Sequence, residues 1–361
     1  MDTRKDPRPD FTPGAMIPQS IAPGMIDMDQ ATGIFTDDDK PKKSASPLQD
    51  SLRRLRRDVR AMISIGVIVF FIALAIVGPP IYQHIGGSYL STVSGVTYGP
   101  SDYHNYSHEE LDRQNEGPSS QYWLGTDDIG RDILARLMQG ILISLFVAIS
   151  VEIVDIGLGV TLGVLAGYYG GWIDQLLARF TDLMFAFPGL LFVILIAGIF
   201  GSAADDWFAH IPIIGGGGNA RLLLVSLALA IAIWPLMARL VRGQTLQLKE
   251  QQFIEAARTS GTKNSRIMFR HIVPNLFSIV VVASTLNISG TIIGEAGISA
   301  LGLGVQPPGS SIGLMIFEGS QLTQVYPWEV MVPAVTLSLF VLAFSFLGDG
   351  LRDAFDPRSK D

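Results

Sequence analysis

Six long apolar stretches separated by polar segments dominate the pattern along the chain. A membrane-spanning helix needs about 20 consecutive, mostly apolar residues. Ala61–Gln83, Leu137–Ile173, Leu183–Ala204, Leu222–Ala238, Ile272–Gly294 and Val330–Gly348 meet that requirement. Five of them carry no charge, and Leu137–Ile173 carries only Glu152 and Asp155. Pro188, Pro235 and Pro333 lie in or beside these runs, and local kinks are expected there because packed neighbours re-satisfy the carbonyls that proline frees. The pattern predicts an all-α polytopic membrane protein with six transmembrane helices. Ala61–Gln83 is too long for the apolar core of a secretion signal and sixty residues precede it, so it is expected to stay as the first span.

The polar segments divide the chain further. Residues 1–58 read as a tail, largely disordered because Pro, Asp, Lys and Ser dominate it. The tail ends in a basic helical lead-in, SLRRLRRDVR at Ser51–Arg60, that suits anionic lipid. Residues 59–83 hold the first span, 84–136 a polar connection, 137–350 a five-helix core interrupted by the polar segment 249–275, and 351–361 a short tail. In the first connection the sequence passes from loop to amphipathic helix near Gly130. Asp127 or Asp128 is expected to cap that helix, with Arg131 and Asp132 in its first turn. IIGGGGN in Gly201–Arg221 reads as a flexible loop. LGLGVQPPGSSIG in Gly297–Glu329 is barely charged, so it is expected to be buried or re-entrant at the outer mouth.

Composition agrees with a membrane protein. Charged residues make up 16% of the chain, against about 25% in soluble domains, and the mean hydropathy is +0.36. The 38 glycines fit closely crossed helices. There is no cysteine, which excludes disulfides and thiolate sites. Charge placement gives orientation. With six spans both termini share one side. That side holds 11 Lys/Arg in the N-terminal tail, Arg179, seven in Arg239–Arg270, and Arg352, Arg358 and Lys360, together 22 of the 26. Arg113, Arg131, Arg136 and Arg221 fall on the other. Both termini and segment 249–275 are therefore expected to be cytoplasmic.

That segment contains QQFIEAARTSGTKNSRIMFRHIVPN at Gln251–Asn275. A short helix is predicted over Lys249–Ser260, with Phe253, Ile254 and Ala257 on one stripe. Glu255 and Arg258 are placed to pair, and Gly261 sits where a left-handed cap ends a helix. A second helix runs from about Ser265 into the next span, with Pro274 near its start. The small Ala256 and Ala257 would let another surface come close. Physics alone leaves two readings open: an amphipathic helix lying on lipid, or a docking element.

EAA-RTSG-x9-H-x-x-PN resembles the EAA loop of permease subunits of ATP-binding-cassette importers. LGTDDIGRDILARLMQG, GYYGGWID, FAFPGLLFVI, GEAGISALGLGVQPP and LGDGLRDAFDPR resemble stretches of the second permease of the dipeptide, oligopeptide and nickel branch. The resemblance runs from the first span to the C-terminus. It implies the type I importer permease (MetI-like) fold and a cell-membrane subunit that couples ATP hydrolysis by partners to solute import, for di- or oligopeptides first and nickel second. Phe253, Glu255, Ala256, Ala257, Gly261, His271, Pro274 and Asn275 would then be the coupling residues. The implied partners are a sibling permease forming a heterodimer, two cytoplasmic ATPases that bind ATP and Mg, an extracytoplasmic solute-binding protein, and membrane lipid; no nucleic acid is implied. Asp127, Gly130, Arg131 and Asp132 would organise the extracytoplasmic mouth or serve as a structural cap.

Glu152 and Asp155, with Asn287, are candidates to line the translocation path, or else neutral polar glue between helices. A channel or secondary transporter using the two acids is the reading from a different class. His104 and His108 are spaced for a metal on a helix, but their segment reads as a solvated loop and no metal site is expected. Asp349, Arg352 and Asp353 read as a polar helix end or a contact with the ATPase side. No Walker A lysine, HExxH or G-x-S-x-G occurs; no ATPase site is expected in this chain.

Overall fold

A computed structural model describes residues 47–208, 210 and 220–356; the expectations for the tail before residue 47 and for IIGGGGN lie outside them. The chain begins with α1 (Pro47–Leu55) and α2 (Val59–Tyr82). The basic lead-in is therefore not one continuous helix. It breaks at residues 56–58, where Asp58 Oδ1 accepts from the Arg60 N–H and caps α2. A hairpin of β1 (Tyr89–Leu90) and β2 (Thr97–Tyr98), antiparallel with Tyr89 opposite Tyr98, and a one-turn α3 (Pro100–Tyr103) follow. Then come α4 (Ile133–Tyr169), α5 (Gly171–Ala186), α6 (Gly189–Phe208) and α7 (Ala220–Leu248). The short α8 (Gln252–Thr259) and α9 (Asn264–Ile267) lead into α10 (Val273–Ala300), α11 (Ile312–Ser320) and α12 (Trp328–Phe355).

Among the described residues six helical stretches are long and apolar enough to cross a membrane: Val59–Tyr82, Ile133–Tyr169, Gly189–Phe208, Ala220–Leu248, Asn264–Ala300 and Trp328–Phe355. Their number is as expected, but the boundaries shift: the fifth stretch runs Asn264–Ala300 rather than Ile272–Gly294, and the sixth reaches Phe355 rather than Gly348. The second span stops at Tyr169, short of Ile173, because Gly170 and Gly171 both adopt left-handed φ (65° and 58°). The start of the expected span Leu183–Ala204 belongs to α5, and Pro188 separates α5 from α6 rather than kinking one helix. The fourth span continues past Ala238 to Leu248, carrying Arg239 and Arg242. These arginines are held by α5: Arg239 Nη2 donates to Asp182 Oδ1 at 2.6 Å, and Arg242 forks onto both oxygens of Asp174.

α4 and α7 pack along most of their length through a glycine ladder. A Cβ at Gly159 would meet the Met237 side chain at 2.6 Å, one at Gly163 the Ala238 carbonyl at 2.6 Å, and one at Gly167 the Arg242 carbonyl at 2.9 Å. Spaced four apart, these glycines form one stripe and let the two backbones approach as small residues do in membranes.

The connection between α10 and α12 is buried by protein only in part: Leu301, Pro307, Pro308 and much of 320–325 are exposed. Ser310, Ser311 and the first half of α11 are covered. A Cβ at Gly313 would lie 2.1 Å from the Ala296 carbonyl oxygen, and one at Gly140 2.9 Å from the Ile312 nitrogen. Fully buried Glu295 holds this corner, accepting from Ser144 Oγ at 2.8 Å and Ser299 Oγ at 2.7 Å.

Candidate functional site

The segment between α7 and α10 is built around one anchor and one cap. Ile254 is fully buried in a cluster with Val164 and Tyr168 of α4, Met237 and Val241 of α7, and Ile267, Ile272 and Leu276 leading into α10. The short helix α8 therefore ties the ends of three spans together. At its C-terminus the Gly261 N–H donates to the Arg258 carbonyl at 2.9 Å and the Thr262 N–H to the Ala257 carbonyl at 3.1 Å. With Gly261 at φ 75°, this is the Schellman end that the glycine predicted. Tyr168 Oη donates to Asn264 Oδ1 at 2.8 Å, and Lys249 Nζ to the Gly167 carbonyl at 3.0 Å.

The expected stripe on α8 splits. Ile254 and Ala257 face inward, whereas Phe253 is 44% exposed and Glu255 and Ala256 are exposed beside it. The expected Glu255–Arg258 pair does not form among the described residues; the Arg258 guanidinium lies over the Tyr168 ring, 5.2 Å from its centroid. The outward surface of α8 is thus an aromatic ring, a carboxylate and a small residue on a knob whose inner face is locked. Pro274, which has no N–H to donate, sits just after a wide turn over Met268–Ile272, where the Val273 N–H reaches back to the Met268 carbonyl. Asn275 Nδ2 donates to the His271 carbonyl at 2.6 Å. Asn275 also lines a cavity with Arg352, at the end of α12. His271, Pro274 and Asn275 therefore shape the elbow; they stand apart from the knob.

At the far ends of α4 and α11 lies a second cluster. Contrary to expectation, Asp132 caps α4, its Oδ1 accepting from the Leu134 and Ala135 N–H groups at 2.8 and 3.2 Å. Asp127 instead closes the turn before it, accepting from the Ile129 and Arg131 backbones and from the side chains of Arg131, at 2.7 Å, and Arg136. Glu318 of α11 receives Arg131 Nη2 at 3.1 Å and Arg136 Nη2 at 2.7 Å. Burial works against the Arg131 charge, but the carboxylates of Asp127 and Glu318 outweigh it and hold the group above its ordinary range. Burial, then the Asp127 charge, pushes the Asp128 carboxyl up. Gly130, at φ 81°, lets the Glu110 carbonyl pass where a Cβ would sit 1.8 Å away. Arg136 and Glu318, absent from the sequence-derived site, carry this network. The available signal was an arginine beside an apolar run that had to find a partner.

His104 does not face solvent. Its Nδ1 lies 2.6 Å from Asp132 Oδ2 and its ring is buried against Tyr82, while His108 points to Glu110, 3.6 Å away. Burial pushes the neighbouring Tyr122 hydroxyl up to about 12. Each histidine thus has its own carboxylate partner, and no metal-holding cluster forms among the described residues. Glu152 and Asp155 are buried in the middle of α4, and Asn287 Nδ2 donates to Asp155 Oδ2 at 3.2 Å.

The chain matches two families. Residues 159–361 match the binding-protein-dependent transport system inner membrane component, and residues 46–107 the N-terminal transmembrane domain of oligopeptide transport permease C. The glutathione transport system permease protein GsiD of Pectobacterium atrosepticum is 44% identical over 261 residues, covering 72% of this chain and 80% of that protein. The dipeptide transport system permease protein DppC of Alkalihalophilus pseudofirmus is 36% identical over 317 residues, 88% of this chain and 92% of that protein. The oligopeptide transport system permease protein OppC of Bacillus subtilis is 35% identical over the same lengths. The chain belongs to the binding-protein-dependent transport system inner membrane component family. It is a multi-pass inner-membrane permease subunit of an ABC importer, a class that works with ATPase and solute-binding partners.

Proposed function

We infer that this permease carries di- or oligopeptides, and that α8 is where ATP-driven motion enters it. The substrate reading is carried by one observation: relatives named for dipeptide and oligopeptide transport align over 88% of the chain, and another is named for glutathione transport. Nickel, the other cargo of the branch, finds no support in those names. A sibling permease completes the pathway as a heterodimer, with both termini of this chain and α8 on the cytoplasmic side. Two ATPases bind ATP and Mg there; this chain contributes no nucleotide site.

The geometry of α8 supports the coupling role. Phe253, Glu255 and Ala256 project outward and Ile254 is locked inward. A push on the knob therefore reaches α4, α7 and α10 through one packed cluster, and packed elements move as rigid bodies. The native chain has no cysteine, so a single A256C reports cleanly. Disulfide or bifunctional crosslinking of A256C to a cysteine-bearing ATPase subunit in membranes is the expected result, sensitive to ATP. Uptake of labelled dipeptide, tripeptide and nickel by cells with and without the permease tests the cargo. Nickel uptake that depends on the permease, with peptide uptake that does not, overturns the peptide reading.

A further inference from the structure

α4 carries two acids, Glu152 and Asp155, one turn apart in an otherwise apolar stretch. In the single subunit they are 6% and 0% exposed, so their burial needs no partner chain. α10 faces them with Ser284, which lies against Glu152 and is itself 8% exposed, and with Asn287, bonded to Asp155. Both carboxyl oxygens of Glu152, Oδ1 of Asp155 and Oγ of Ser284 are buried and make no hydrogen bond among the described residues.

No base reaches this knot. α10 has no charged residue between His271 and Glu295, and Glu295 is bonded to Ser144 and Ser299. α7 has none between Arg221 and Arg239, which are engaged by Asp205 and Asp182. α2 has none beyond Arg60. Glu318 of α11 holds Arg131 and Arg136 at the other end of α4. On α5, Asp174 is paired with Arg242, and Arg179 is exposed. Two ionised carboxylates here would be desolvated and would repel one another, and their acceptor oxygens outnumber the donors that face them, the Ser284 hydroxyl and the Asn287 amide. A protonated carboxyl reverses that count, because its O–H donates to the neighbouring carboxyl or to Ser284 Oγ.

We propose that Glu152, Asp155, Ser284 and Asn287 form an intramembrane proton-binding site, in which the two carboxyl groups hold at least one proton between α4 and α10. The proton is exchanged with water, with no other bond made or broken. The site follows from the packing of this subunit and holds whatever solute is carried.

Infrared spectra of the assembled transporter in lipid nanodiscs, titrated from neutral to alkaline pH, test it. The expected result is a protonated-carboxyl C=O band at neutral pH that shifts on deuteration, disappears on alkalinisation, and is lost in E152Q or D155N. E295Q and E329Q separate the contributions of two further buried acids. The unfolding midpoint of the wild type should also fall as pH rises, because the proton is bound only in the folded form, and E152Q should flatten that slope. Spectra in which neither substitution removes a band overturn the proposal. So does a midpoint that rises with sodium at fixed pH and loses that response in E152Q, since the site then holds a metal cation. Should both variants fail to assemble, the wild type decides: no alkali-titrating protonated carboxyl at neutral pH refutes the site.

Discussion

The Tyr168 hydroxyl donates to Asn264 Oδ1 at 2.8 Å, so the end of α4 is pinned to the first residue of α9. That bond and buried Ile254 close the two ends of the elbow on the same cluster. If α8 couples as proposed, their loss should loosen the transmission without touching the outward face of α8. I254A, which removes a fully buried side chain, should cost about 2–5 kcal/mol locally. Y168F should cost about 1 kcal/mol. Both variants should insert and assemble, and ATP turnover should persist while peptide uptake per ATP falls, more for I254A. The ratio of uptake to hydrolysis in proteoliposomes measures this.

Gly261 tests the cap separately. A Cβ there meets nothing within 4 Å in this chain, so within the subunit the strain comes from the left-handed backbone, worth about 1–2 kcal/mol for an L-residue. G261N, which tolerates that conformation, should keep most of the uptake, and G261V should lose several-fold. Equal behaviour of the two would remove the cap from the coupling path.

The glycine ladder gives a steric prediction of opposite kind. At Gly163 the obstacle is the Ala238 carbonyl, 2.6 Å from an added Cβ, and a backbone oxygen cannot rotate away. G163V should force α4 and α7 apart at a cost of about 1–3 kcal/mol or more. G157V should be nearly neutral, because no neighbour lies within 4 Å of its Cβ. Thermal unfolding of the two purified variants in detergent distinguishes them.

The parts of this architecture that were legible in the sequence are those that one segment specifies alone. Run lengths of apolar residues set the six spans, and Gly261 marked the end of α8 because only a residue without Cβ sits there easily. What could not be read depended on partners distant in the chain. The apolar run Leu137–Ile173 passes through Gly170 without a change in hydropathy, so the start of α5 was hidden. Phe253 and Ile254 are adjacent and both apolar, and only the packed cluster decides which turns inward. Asp127, Asp128 and Asp132 are all competent caps; the turn at Gly130 against Glu110 selected Asp132 and left Asp127 for the arginines. Arg136 finds Glu318 at a separation of 182 residues, which no local pattern encodes.

The charge network at the start of α4 follows from that pairing. Arg136 is 1% exposed and shared between Asp127 and Glu318. R136A leaves two carboxylates poorly compensated, and breaking a buried pair in this way costs about 3–5 kcal/mol. The expected result is release of α11 and the 301–311 connection from α4, read as increased protease or hydrogen-exchange sensitivity there. E318Q keeps an acceptor for both arginines and should be milder.

The pairs joining α5 to α7 should respond to acid, and the sign is fixed by which form is held. Its hydrogen bonds with Arg242, reinforced by that charge, hold the Asp174 carboxyl below its ordinary range. A group lowered on folding contributes stability that is complete above its unfolded value, near 4, and is lost as pH falls through the folded value. Above about pH 5 the contact should therefore be insensitive to pH; below about pH 4 α5 should loosen progressively from the α7 half that carries Arg239 and Arg242. The pair is partly exposed, so the effect is small, about 1 kcal/mol or less, and salt should shrink it further. D174N should loosen α5 to a similar degree at neutral pH and abolish the acid transition. A fluorophore on the exposed Trp172 position, introduced as W172C, should report the transition in the otherwise wild-type chain and be silent in D174N.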